Sequence, residues 1–545
     1  MSHFRRIVAL LVALALGVPA FAPAAAGSSG AARADRLAWC RGAVFYEIFV
    51  RSFCDSDGDG VGDFRGLSAK LDYLNDGDST TTSDLGVNAL WLMPIFPSPS
   101  YHGYDVTDYE HVNPAYGTEA DFDSLLARAH RRGIRVILDL VLNHTSWKHP
   151  WFRDAASSPN ARHRNWYVWR KDDPGWTQPW GSGPTWHKAG GAYYYGIFWS
   201  GMPDLNFRNR EVRAEMERVA ALWLRRGVDG FRLDATRHLV EAGPDERQND
   251  SPETHAFLKE FAAYVRHVKP DAVLVGENWT ETKTIARYFG STDSLPGGDE
   301  LPMNFNFPLA AATVEGVRDG DPGRIDAAIR EEQADYPTGV LDAPFLTNHD
   351  MERVATQLQN DPGKLRVAAA ILLTLPGAPF LYYGEEVGLS NGPTPGDESK
   401  RTPMPWSPGA GGGFTSGKPW FPFAPGLETA NVEMESRDPH SLLQWYRELI
   451  RARHQFRALR EGELRLVAPQ GSSGSLLEYE RVAGRERLLV VHNLGPTVAL
   501  GGIPGASGKE VSMLFATDAV SAAPRGDGSI ALRLPGYATA VWRLR

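Results

Sequence analysis

The stretch EVRAEMERVAALWLRRGVDGFRLDATRH (residues 211–238) contains the pattern that decides the fold. Its first seventeen residues, up to Gly227, read as an amphipathic helix. A short apolar run, Gly230–Leu233, then predicts a buried strand, and the carboxylate of Asp234 follows this run directly. A helix, a buried strand and a polar residue at the carboxyl end of the strand are typical of folds built round a parallel sheet.

Apolar and β-branched runs of this kind recur along the chain, and amphipathic stretches lie between most of them. The eight runs are Val44–Val50, Ala89–Pro94, Val136–Val141, Gly230–Leu233, Val273–Gly276, Met303–Phe307, Phe345–Thr347 and Phe380–Tyr383. Eight strands that alternate with helices predict an α/β protein with a closed (β/α)8, or TIM, barrel. An open doubly wound sheet is the alternative, although the chain has no glycine-rich phosphate fingerprint to favour it.

Two regions depart from this alternation. Residues 145–207 contain eight of the sixteen tryptophans and several Gly and Pro turns, so they predict an irregular insertion after strand 3, domain B. From residue 461 the helices stop and short strand-like runs follow, so residues 461–545 predict a C-terminal antiparallel β-sandwich in which Trp542 is a core residue. The barrel itself is then assigned to residues 40–144 and 208–460.

The N-terminus has the pattern of a signal peptide. It combines the basic segment MSHFRR, the apolar run Ile7–Leu16 and the small residues APAAAG. Ten apolar residues are too few to span a bilayer. We expect a signal peptide over residues 1–26, a linker over residues 27–39, and a mature protein that is secreted, extracellular or periplasmic, with no membrane span.

Composition narrows the possible partners. The 545 residues are 42% hydrophobic, which is enough for large cores, and the net charge of −9 does not favour nucleic-acid binding. We expect a monomer. The two cysteines, Cys40 and Cys54, flank the first predicted strand. Seven strand residues span roughly 23 Å, but a disulfide requires Cα atoms within about 7 Å, so we expect no bond between them.

Polar residues follow several predicted strands directly, and such residues point into the mouth of a barrel, where catalysis occurs in this fold. Taken singly, each could cap a helix or pack in the core. Together they predict a catalytic site in which carboxylates, an arginine and two histidines converge, with no Ser or Cys nucleophile pattern. They are Asp139, Asn143 and His144 in DLVLNH, Arg232 and Asp234 in GFRLDATRH, Glu277 in VGEN, and His349 and Asp350 in FLTNHD.

The motifs DLVLNH, GFRLDA, GEN and TNHD, with MPDLN in the insertion, resemble those of the α-amylase family of glycoside hydrolases over about residues 40–545. The resemblance implies that Asp234 is the nucleophile, Glu277 the acid/base and Asp350 the stabiliser of the transition state. Retaining glycosidases place two carboxyls about 5 Å apart, one to attack the anomeric carbon and one to protonate the leaving oxygen. Arg232 is expected to keep Asp234 ionised, and a raised pKa would suit Glu277.

The resemblance also implies a set of sugar contacts. In YHGYDVTDY (101–109), Tyr104 would stack on the sugar in the cleavage subsite; a packed Tyr in a solvated loop is the alternative. For Arg353 and Arg401 an exposed salt bridge is the alternative. The expected substrate-binding residues are His102, Tyr104, Asp105, His144, Arg232, His349, Arg353 and Arg401.

The loop DSDGDGVGD (55–63) places a carboxylate at every second position and a glycine at the sixth, as Ca²⁺-binding loops do. An EF-hand is not favoured, because its twelfth position is Gly66 and a strand precedes it. The family resemblance implies one structural Ca²⁺, held by Asp55, Asp57, Asp59, the carbonyl of Val61 and Asp63. A metal-free Asp/Gly turn is the alternative. A second, weaker calcium site would use Asn143 and Asp204.

Features of substrate choice conflict. GFRLDATRH resembles α-amylases, in which a Lys–His pair stands where this chain has Arg237 and His238. The calcium loop, Asp105 and RTPMPW (401–406) resemble α-glucosidases of the oligo-1,6-glucosidase type, in which an Asp–Arg pair can close the non-reducing end. We expect a secreted, retaining α-amylase that cuts internal α-1,4 bonds of starch and maltodextrins. The alternatives are an exo-acting α-glucosidase or oligo-1,6-glucosidase, a 4-α-glucanotransferase and, remotely, a non-catalytic glycan-binding or transporter-partner protein.

Overall fold

The computed structural model describes residues 36–293, 295–467, 474–503, 511–517, 519–524 and 530–544. The predicted signal peptide, and the linker up to residue 35, lie outside the described residues. Eight parallel strands form one sheet, and a bridge from Phe345 to Phe380 joins its two ends. The predicted barrel is confirmed. Its strands, β1 to β8, are Phe45–Ile48, Ala89–Leu92, Arg135–Leu140, Gly230–Leu233, Val273–Gly276, Met303–Phe305, Leu341–Ala343 and Phe380–Tyr382.

Six of the eight strands differ from their predicted limits: β1, β2, β3, β6 and β8 by no more than two residues at an end, and β7 by four. β1 ends at Ile48, because the chain turns into a short helix at Val50–Phe53. β7 begins four residues before the predicted run, at Leu341, and the chain at Phe345 keeps only a bridge to β8. The acidic residue Asp342 in the middle of β7 breaks the apolar pattern by which a strand is recognised, although its side chain is buried.

Helices surround the barrel and cover its strands. The 17-residue helix after the insertion is representative: Asn209 caps its first turn by accepting from the Glu211 N–H, and Gly227 ends it in a left-handed conformation. Its Trp223 is fully buried, with its ring beside those of Phe96 and Phe122. Outside the insertion the helices are Ala38–Arg41, Val50–Phe53, Phe64–Ala69, Leu71–Leu74, Glu119–Arg131, Arg210–Arg226, Pro252–Val268, Thr282–Arg287, Phe307–Asp319, Pro322–Asp335, Val354–Gln357, Pro362–Thr374, Val432–Arg437, Leu442–Gln455 and Arg457–Glu461, with 3-10 turns at Pro114–Tyr116, Thr236–His238, Asp245–Gln248, Glu385–Val387, Asp397–Arg401 and Ala410–Gly413.

The insertion after β3 has a small fold of its own. It contains one helix, Pro150–Ser157, a 3-10 turn, Arg164–Trp166, and a three-stranded antiparallel sheet. The strands of that sheet, in spatial order, are Trp169–Arg170, Ala192–Tyr195 and Trp186–Ala189.

The C-terminal region forms two antiparallel sheets, as predicted for a β-sandwich. Trp542 is 1% exposed in the core between them, which confirms its predicted place. In spatial order the larger sheet contains Glu463–Leu466, Leu476–Ala483, Glu486–Asn493, Thr539–Leu544 and Val511–Ala516, and the smaller contains Ala499–Ile503, Ile530–Leu534 and Ser521–Pro524.

Two further expectations concern covalent bonds and membranes. Cys40 and Cys54 are buried and are not joined to each other, as the sequence predicted. None of the helices in the described part of the chain combines the length and apolarity needed to cross a membrane.

Candidate active site

A cleft of about 740 Å³ opens at the carboxyl ends of the barrel strands. Its volume lies within the usual range of ligand pockets. All three predicted catalytic carboxylates line this cleft: Asp234 directly follows β4, Glu277 directly follows β5, and Asp350 lies in the segment after β7. The parallel strands therefore bring together residues that are up to 116 positions apart in the sequence.

Arg232 holds the carboxylates on the cleft floor. Its guanidinium is fully buried, and its Nη1 donates to Asp234 Oδ1 at 2.8 Å and to both oxygens of Asp139 at 2.8 and 2.9 Å. Its Nη2 lies 2.7 Å from Glu277 Oε2. One cation therefore bridges Asp234 and Glu277. Since Arg232 itself does not line the cleft, it acts on a substrate only through these carboxylates.

The backbone draws Glu277 close to Asp234. The N–H of Ala235, the residue after Asp234, donates to Glu277 Oε2 at 2.9 Å. To aim that N–H, Ala235 takes a left-handed conformation with φ of 50°, which is costly for a residue with a Cβ and is often found at functional sites. This contact and the Arg232 bridge favour the short carboxyl separation of retaining glycosidases over the longer separation of inverting ones.

Asp350 is held in its ionised form. Burial opposes ionisation, but His349 and Arg401 outweigh it and keep the pKa of Asp350 well below its usual range. Asp350 Oδ2 lies 3.1 Å from His349 Nε2, and its Oδ1 accepts from Arg401 Nη2 at 2.8 Å. His349 is fully buried and also contacts Glu47 Oε1 through Nδ1 at 2.6 Å. Burial lowers the pKa of His349, but Asp350 and Glu47 raise it to about 9.

The other two carboxyls have pKa values that suit different tasks. Burial raises the pKa of Asp234 to about 6, although Arg232 acts to lower it. Burial also raises the pKa of Glu277 to about 7, with Arg232 opposing and Asp234 adding to the rise. Arg232 thus limits the rise at Asp234 without cancelling it, because its charge is shared with Glu277 and Asp139. Between about pH 6 and pH 7, Asp234 is therefore mainly the ionised carboxylate and Glu277 mainly the carboxylic acid.

Four of the predicted sugar-binding side chains line the cleft: His102, Tyr104, His144 and Arg401. Burial lowers the pKa of His144 to about 3, so this ring is neutral at pH 7, and its Nε2 has no protein partner among the described residues. A buried nitrogen without a partner on the cleft wall is placed to bind a sugar hydroxyl. Tyr104 stacks on His349 at 5.4 Å and donates its hydroxyl to Asp139 at 2.9 Å.

Not all of the predicted sugar-binding residues lie on the wall of the cleft. Arg401 lines the cleft, whereas Asp105 is 1% exposed, outside the cleft lining, and accepts from the hydroxyls of Ser98 and Ser100. Arg353 is also buried outside the lining: its guanidinium lies over the ring of Tyr382 at 4.3 Å. These placements give Asp105 and Arg353 structural contacts in the described residues. Direct sugar contact by either stays a prediction.

Some residues of the site were not predicted from the sequence. Glu47 is one, although a charged residue inside the apolar strand FYEI was a signal for it. The others are tryptophans that line the cleft while staying about half exposed: Trp180 at 53%, Trp199 at 46% and Trp279 at 52%. Their large number was visible in the sequence, but which rings face solvent depends on how the loops pack.

The acidic loop after β1 fits a cation. One oxygen from each of Asp55, Asp57 and Asp63 lies within 4.8 Å of the others, and no other such group of His, Cys, Asp or Glu side chains occurs in the described residues. Three carboxylates this close repel one another unless a cation neutralises them. Asp59 is not part of this cluster; its Oδ1 accepts from the Val61 N–H at 2.7 Å.

The loop is already shaped as a ligand loop. Asp55 accepts N–H groups from Asp57, Gly58 and Gly60 at 2.7–3.0 Å. Burial acts to raise the pKa of Asp55, but hydrogen bonds from Thr415, Gly58 and Gly60 lower it overall. Gly60 has a φ of 93°, and a Cβ there would lie 2.0 Å from the carbonyl oxygen of Lys418, so only glycine fits. The donors suit a hard cation such as Ca²⁺.

The second predicted calcium site stays a prediction. Asn143 and Asp204 are buried and in contact, and Asn143 Oδ1 and Asp204 Oδ2 have no hydrogen-bond partner among the described residues. Burial raises the pKa of Asp204 well above its usual value, which favours the neutral acid. Two side-chain oxygens are also few for Ca²⁺, which takes six to eight oxygen ligands.

Comparison with known proteins agrees with this geometry. The family model "Alpha amylase, catalytic domain" matches residues 47–462. Alpha-amylase 3 of Dictyoglomus thermophilum is 42% identical over 462 residues, covering 84% of this chain and 85% of that protein. A trehalose synthase of Pimelobacter sp. is 37% identical over 512 residues, covering 84% and 87%. The crystal structure of an α-amylase from H. orenii superposes with a TM-score of 0.82 at 40% identity, covering 92% of this chain and 99% of that one.

Proposed function

Since this chain belongs to the α-amylase family, as an α-glucan-acting glycoside hydrolase, we propose that it is a secreted α-amylase. Its substrates would be the internal α-1,4 bonds of starch and maltodextrins, cut with retention of configuration. The observation that carries the proposal is the bridge of Arg232 to Asp234 and Glu277 on the floor of an open cleft. It supplies one ionised and one protonated carboxyl side by side.

The proposed reaction assigns one role to each carboxyl. Asp234 attacks the anomeric carbon and forms a covalent glycosyl ester, while Glu277 gives its proton to the departing oxygen. Glu277 then takes a proton from water, which hydrolyses the ester and restores both groups. Asp350 remains ionised throughout and stabilises the positive charge that develops on the sugar ring.

Internal cleavage is supported by the ion pairs of Arg401. An Asp–Arg pair between Asp105 and Arg401 would suit an exo-acting α-glucosidase. In the described residues, Arg401 pairs with Asp350, and the Asp105 carboxylate accepts from two serine hydroxyls. The described residues therefore lack the Asp105–Arg401 ion pair, which was the contact that would favour an exo-acting α-glucosidase. A 4-α-glucanotransferase would use the same ester with a sugar in place of water.

We also propose that the loop at residues 55–63 binds one Ca²⁺. Asp55, Asp57 and Asp63 would hold it, with further oxygens from this loop. The ion would neutralise the carboxylates and fix the loop, a structural task that is separate from the cleft chemistry. Secretion, proposed from the N-terminal pattern, would expose the protein to external Ca²⁺ and to polymers too large to enter a cell.

A time course of product sizes on long linear amylose tests the proposed function. The mature protein should produce mid-length maltodextrins early, with a rapid fall in iodine staining. An Asp234→Asn variant, which keeps the side-chain volume but cannot attack, serves as the inactive control. Glucose alone from the first minutes, with the polymer hardly shortened, would refute internal cleavage and favour the exo-acting enzyme.

A further inference from the structure

Glu47 is a buried charged side chain to which the proposed reaction gives no role. It lies in the middle of β1, is 2% exposed and does not line the cleft. Burying a carboxylate is costly unless it is paired. Its Oε1 lies 2.6 Å from Nδ1 of His349, whose ring is fully buried. Glu47 therefore reaches the catalytic site through this ring.

The other nitrogen of the His349 ring faces the catalytic site. Its Nε2 lies 3.1 Å from Asp350 Oδ2 and 2.6 Å from the Tyr104 hydroxyl oxygen. Since that hydroxyl donates its own proton to Asp139, its oxygen accepts from His349. Both ring nitrogens thus face acceptors, and only the doubly protonated imidazolium can donate on both sides.

A neutral His349 ring would break this pattern. Glu47 keeps a proton on Nδ1, so the proton lost would be the one on Nε2, and a lone pair would then face Asp350 Oδ2. Two acceptors without a proton between them are unfavourable in a buried site. Asp350 would keep one charged contact in the described residues, from Arg401 Nη2 to its Oδ1 at 2.8 Å. Its carboxylate would then be held at one oxygen instead of two.

The charge on the ring depends on the groups that surround it. Burial lowers the pKa of His349, whereas Asp350 and Glu47 raise it. Removing one member of a buried ion pair leaves an uncompensated charge, so without Glu47 the ring would lose its proton more readily. The other charged or titratable groups round the ring are Arg401, whose Nε donates to the His349 carbonyl oxygen, Tyr104 and, beyond its hydroxyl, Asp139 and Arg232.

We propose that Glu47 is a positioning residue for the cleavage reaction: it keeps the His349 ring doubly protonated, so that the Nε2–H group holds the Asp350 carboxylate in place. The proposal rests on the proposed function and extends it, because it adds a residue that acts without touching the substrate. The contribution of Glu47 depends on pH. In acid the ring carries both protons with or without Glu47, whereas above neutral pH it needs this carboxylate to keep them.

Glu47→Gln removes the charge and preserves the shape. The Gln side chain can still accept from the Nδ1–H group, but it no longer balances the positive ring. An opposite charge within about 4–6 Å shifts a pKa by about 1–3 units. Since the pKa of His349 is about 9 with Glu47 present, the ring should lose its proton at least about one pH unit lower in the variant.

The measurement is kcat/KM of variant and wild type on α-maltosyl fluoride across pH. Fluoride departs without a proton from Glu277, so this substrate stays measurable in alkali, where cleavage of maltoheptaose slows. The ratio of variant to wild type should fall about tenfold between about pH 6.5 and about pH 9. Because the other groups titrate in both proteins, their effects cancel in this ratio.

Glu386→Gln is the matched control, because Glu386 is buried as deeply as Glu47. Its carboxylate accepts from the hydroxyls of Tyr46 and Tyr73 and does not contact His349 in the described part of the chain. The ratio of this variant to wild type should stay constant with pH.

Nitrogen-15 NMR of the wild type gives a second readout that does not depend on the folding of any Glu47 variant. At about pH 8 both ring nitrogens of His349 should carry a proton. A neutral ring at that pH, a constant ratio for Glu47→Gln, or an equal fall for Glu386→Gln would overturn the role of Glu47. A wild-type enzyme that is inactive on both α-maltosyl fluoride and maltoheptaose would instead overturn the proposed function.

Discussion

Replacing Glu277 by Gln tests the assignment of the acid most directly. Gln has nearly the same shape, and its side-chain oxygen can still accept from the Ala235 N–H that Glu277 Oε2 binds at 2.9 Å. The change removes the proton that the reaction needs and the charge that faces Arg232. Since Arg232 keeps Asp234 and Asp139 as partners, it is not left as an isolated buried cation.

The expected loss depends on the leaving group. General acid catalysis contributes about 10²–10⁴-fold, and a sugar alkoxide is a poor leaving group without it, so kcat/KM on maltoheptaose should fall at least about 10³-fold. Fluoride departs without a proton from Glu277, so the loss on α-maltosyl fluoride should stay below about tenfold. In the wild type, with a Glu277 pKa of about 7, activity on maltoheptaose should fall tenfold per pH unit well above that value.

The assay compares initial rates of both substrates across pH for wild type and Glu277→Gln. The variant should lose the alkaline fall in its residual activity on maltoheptaose, because no group at position 277 then titrates. Equal losses on both substrates would refute the assignment of Glu277 as acid. So would an alkaline fall that survives the substitution at the same pH.

Three further predictions concern pH, metal and stability. First, kcat/KM should be bell-shaped, falling below about pH 6 as Asp234 becomes protonated and above about pH 7 as Glu277 loses its proton; a plateau through both values would contradict it. Second, Ca²⁺ at 100 times its dissociation constant should add about 2.7 kcal/mol to the free energy of unfolding; Asp57→Ala should abolish this gain in calorimetry, while Asp78→Ala, in another exposed acidic loop, should keep it. Third, Asp229 is 1% exposed and pairs with three basic side chains. These contacts outweigh burial and lower the pKa of Asp229 in the folded protein. Its ionised carboxylate therefore stabilises the folded state above the pKa of Asp in the unfolded chain, about 3.9, and this stabilisation is lost as the pH falls towards the lower pKa of the folded protein. Asp229→Asn should therefore cost about 3 kcal/mol at pH 7 in urea unfolding and progressively less in acid, and a cost that does not change with pH would contradict this reasoning.

The convergence of Asp234, Glu277 and Asp350 on one cleft could be predicted because of how a parallel barrel is built. The carboxyl ends of all the strands lie at the same rim of the barrel. A polar residue that directly follows an apolar run, as Asp234 and Glu277 do, therefore lies at that rim. The strand pattern was enough to predict this placement, whereas the catalytic role of each carboxylate came from the resemblance to the α-amylase family. The strand prediction was less accurate for β7, where Asp342 interrupts the apolar run, yet Asp350 still reaches the rim.

Residues whose role depends on loop packing could not be predicted in the same way. The insertion is rich in tryptophan, but Trp166 and Trp186 are buried in it, whereas Trp180 is exposed on the cleft. The difference comes from the contacts that fix the turn before Trp180, which link residues about twenty positions apart. Arg353 gives the converse case: a charged residue near the catalytic motif TNHD is buried over a tyrosine ring.

The choice between internal and terminal cleavage is tied to the catalytic electrostatics through Arg401. Its three nitrogens are all engaged: Nε donates to the His349 carbonyl oxygen at 3.0 Å, Nη1 to the Tyr101 hydroxyl at 3.2 Å and Nη2 to Asp350 at 2.8 Å. Turning this guanidinium towards Asp105 to close the non-reducing end would remove a cation that keeps Asp350 ionised. The Asp105 carboxylate already accepts hydrogen bonds from the hydroxyls of Ser98 and Ser100, so its burial does not require the Arg401 guanidinium as a partner. In the proposed α-amylase, the contacts that stabilise the charge on Asp350 would therefore also leave the donor end open to a longer glucan.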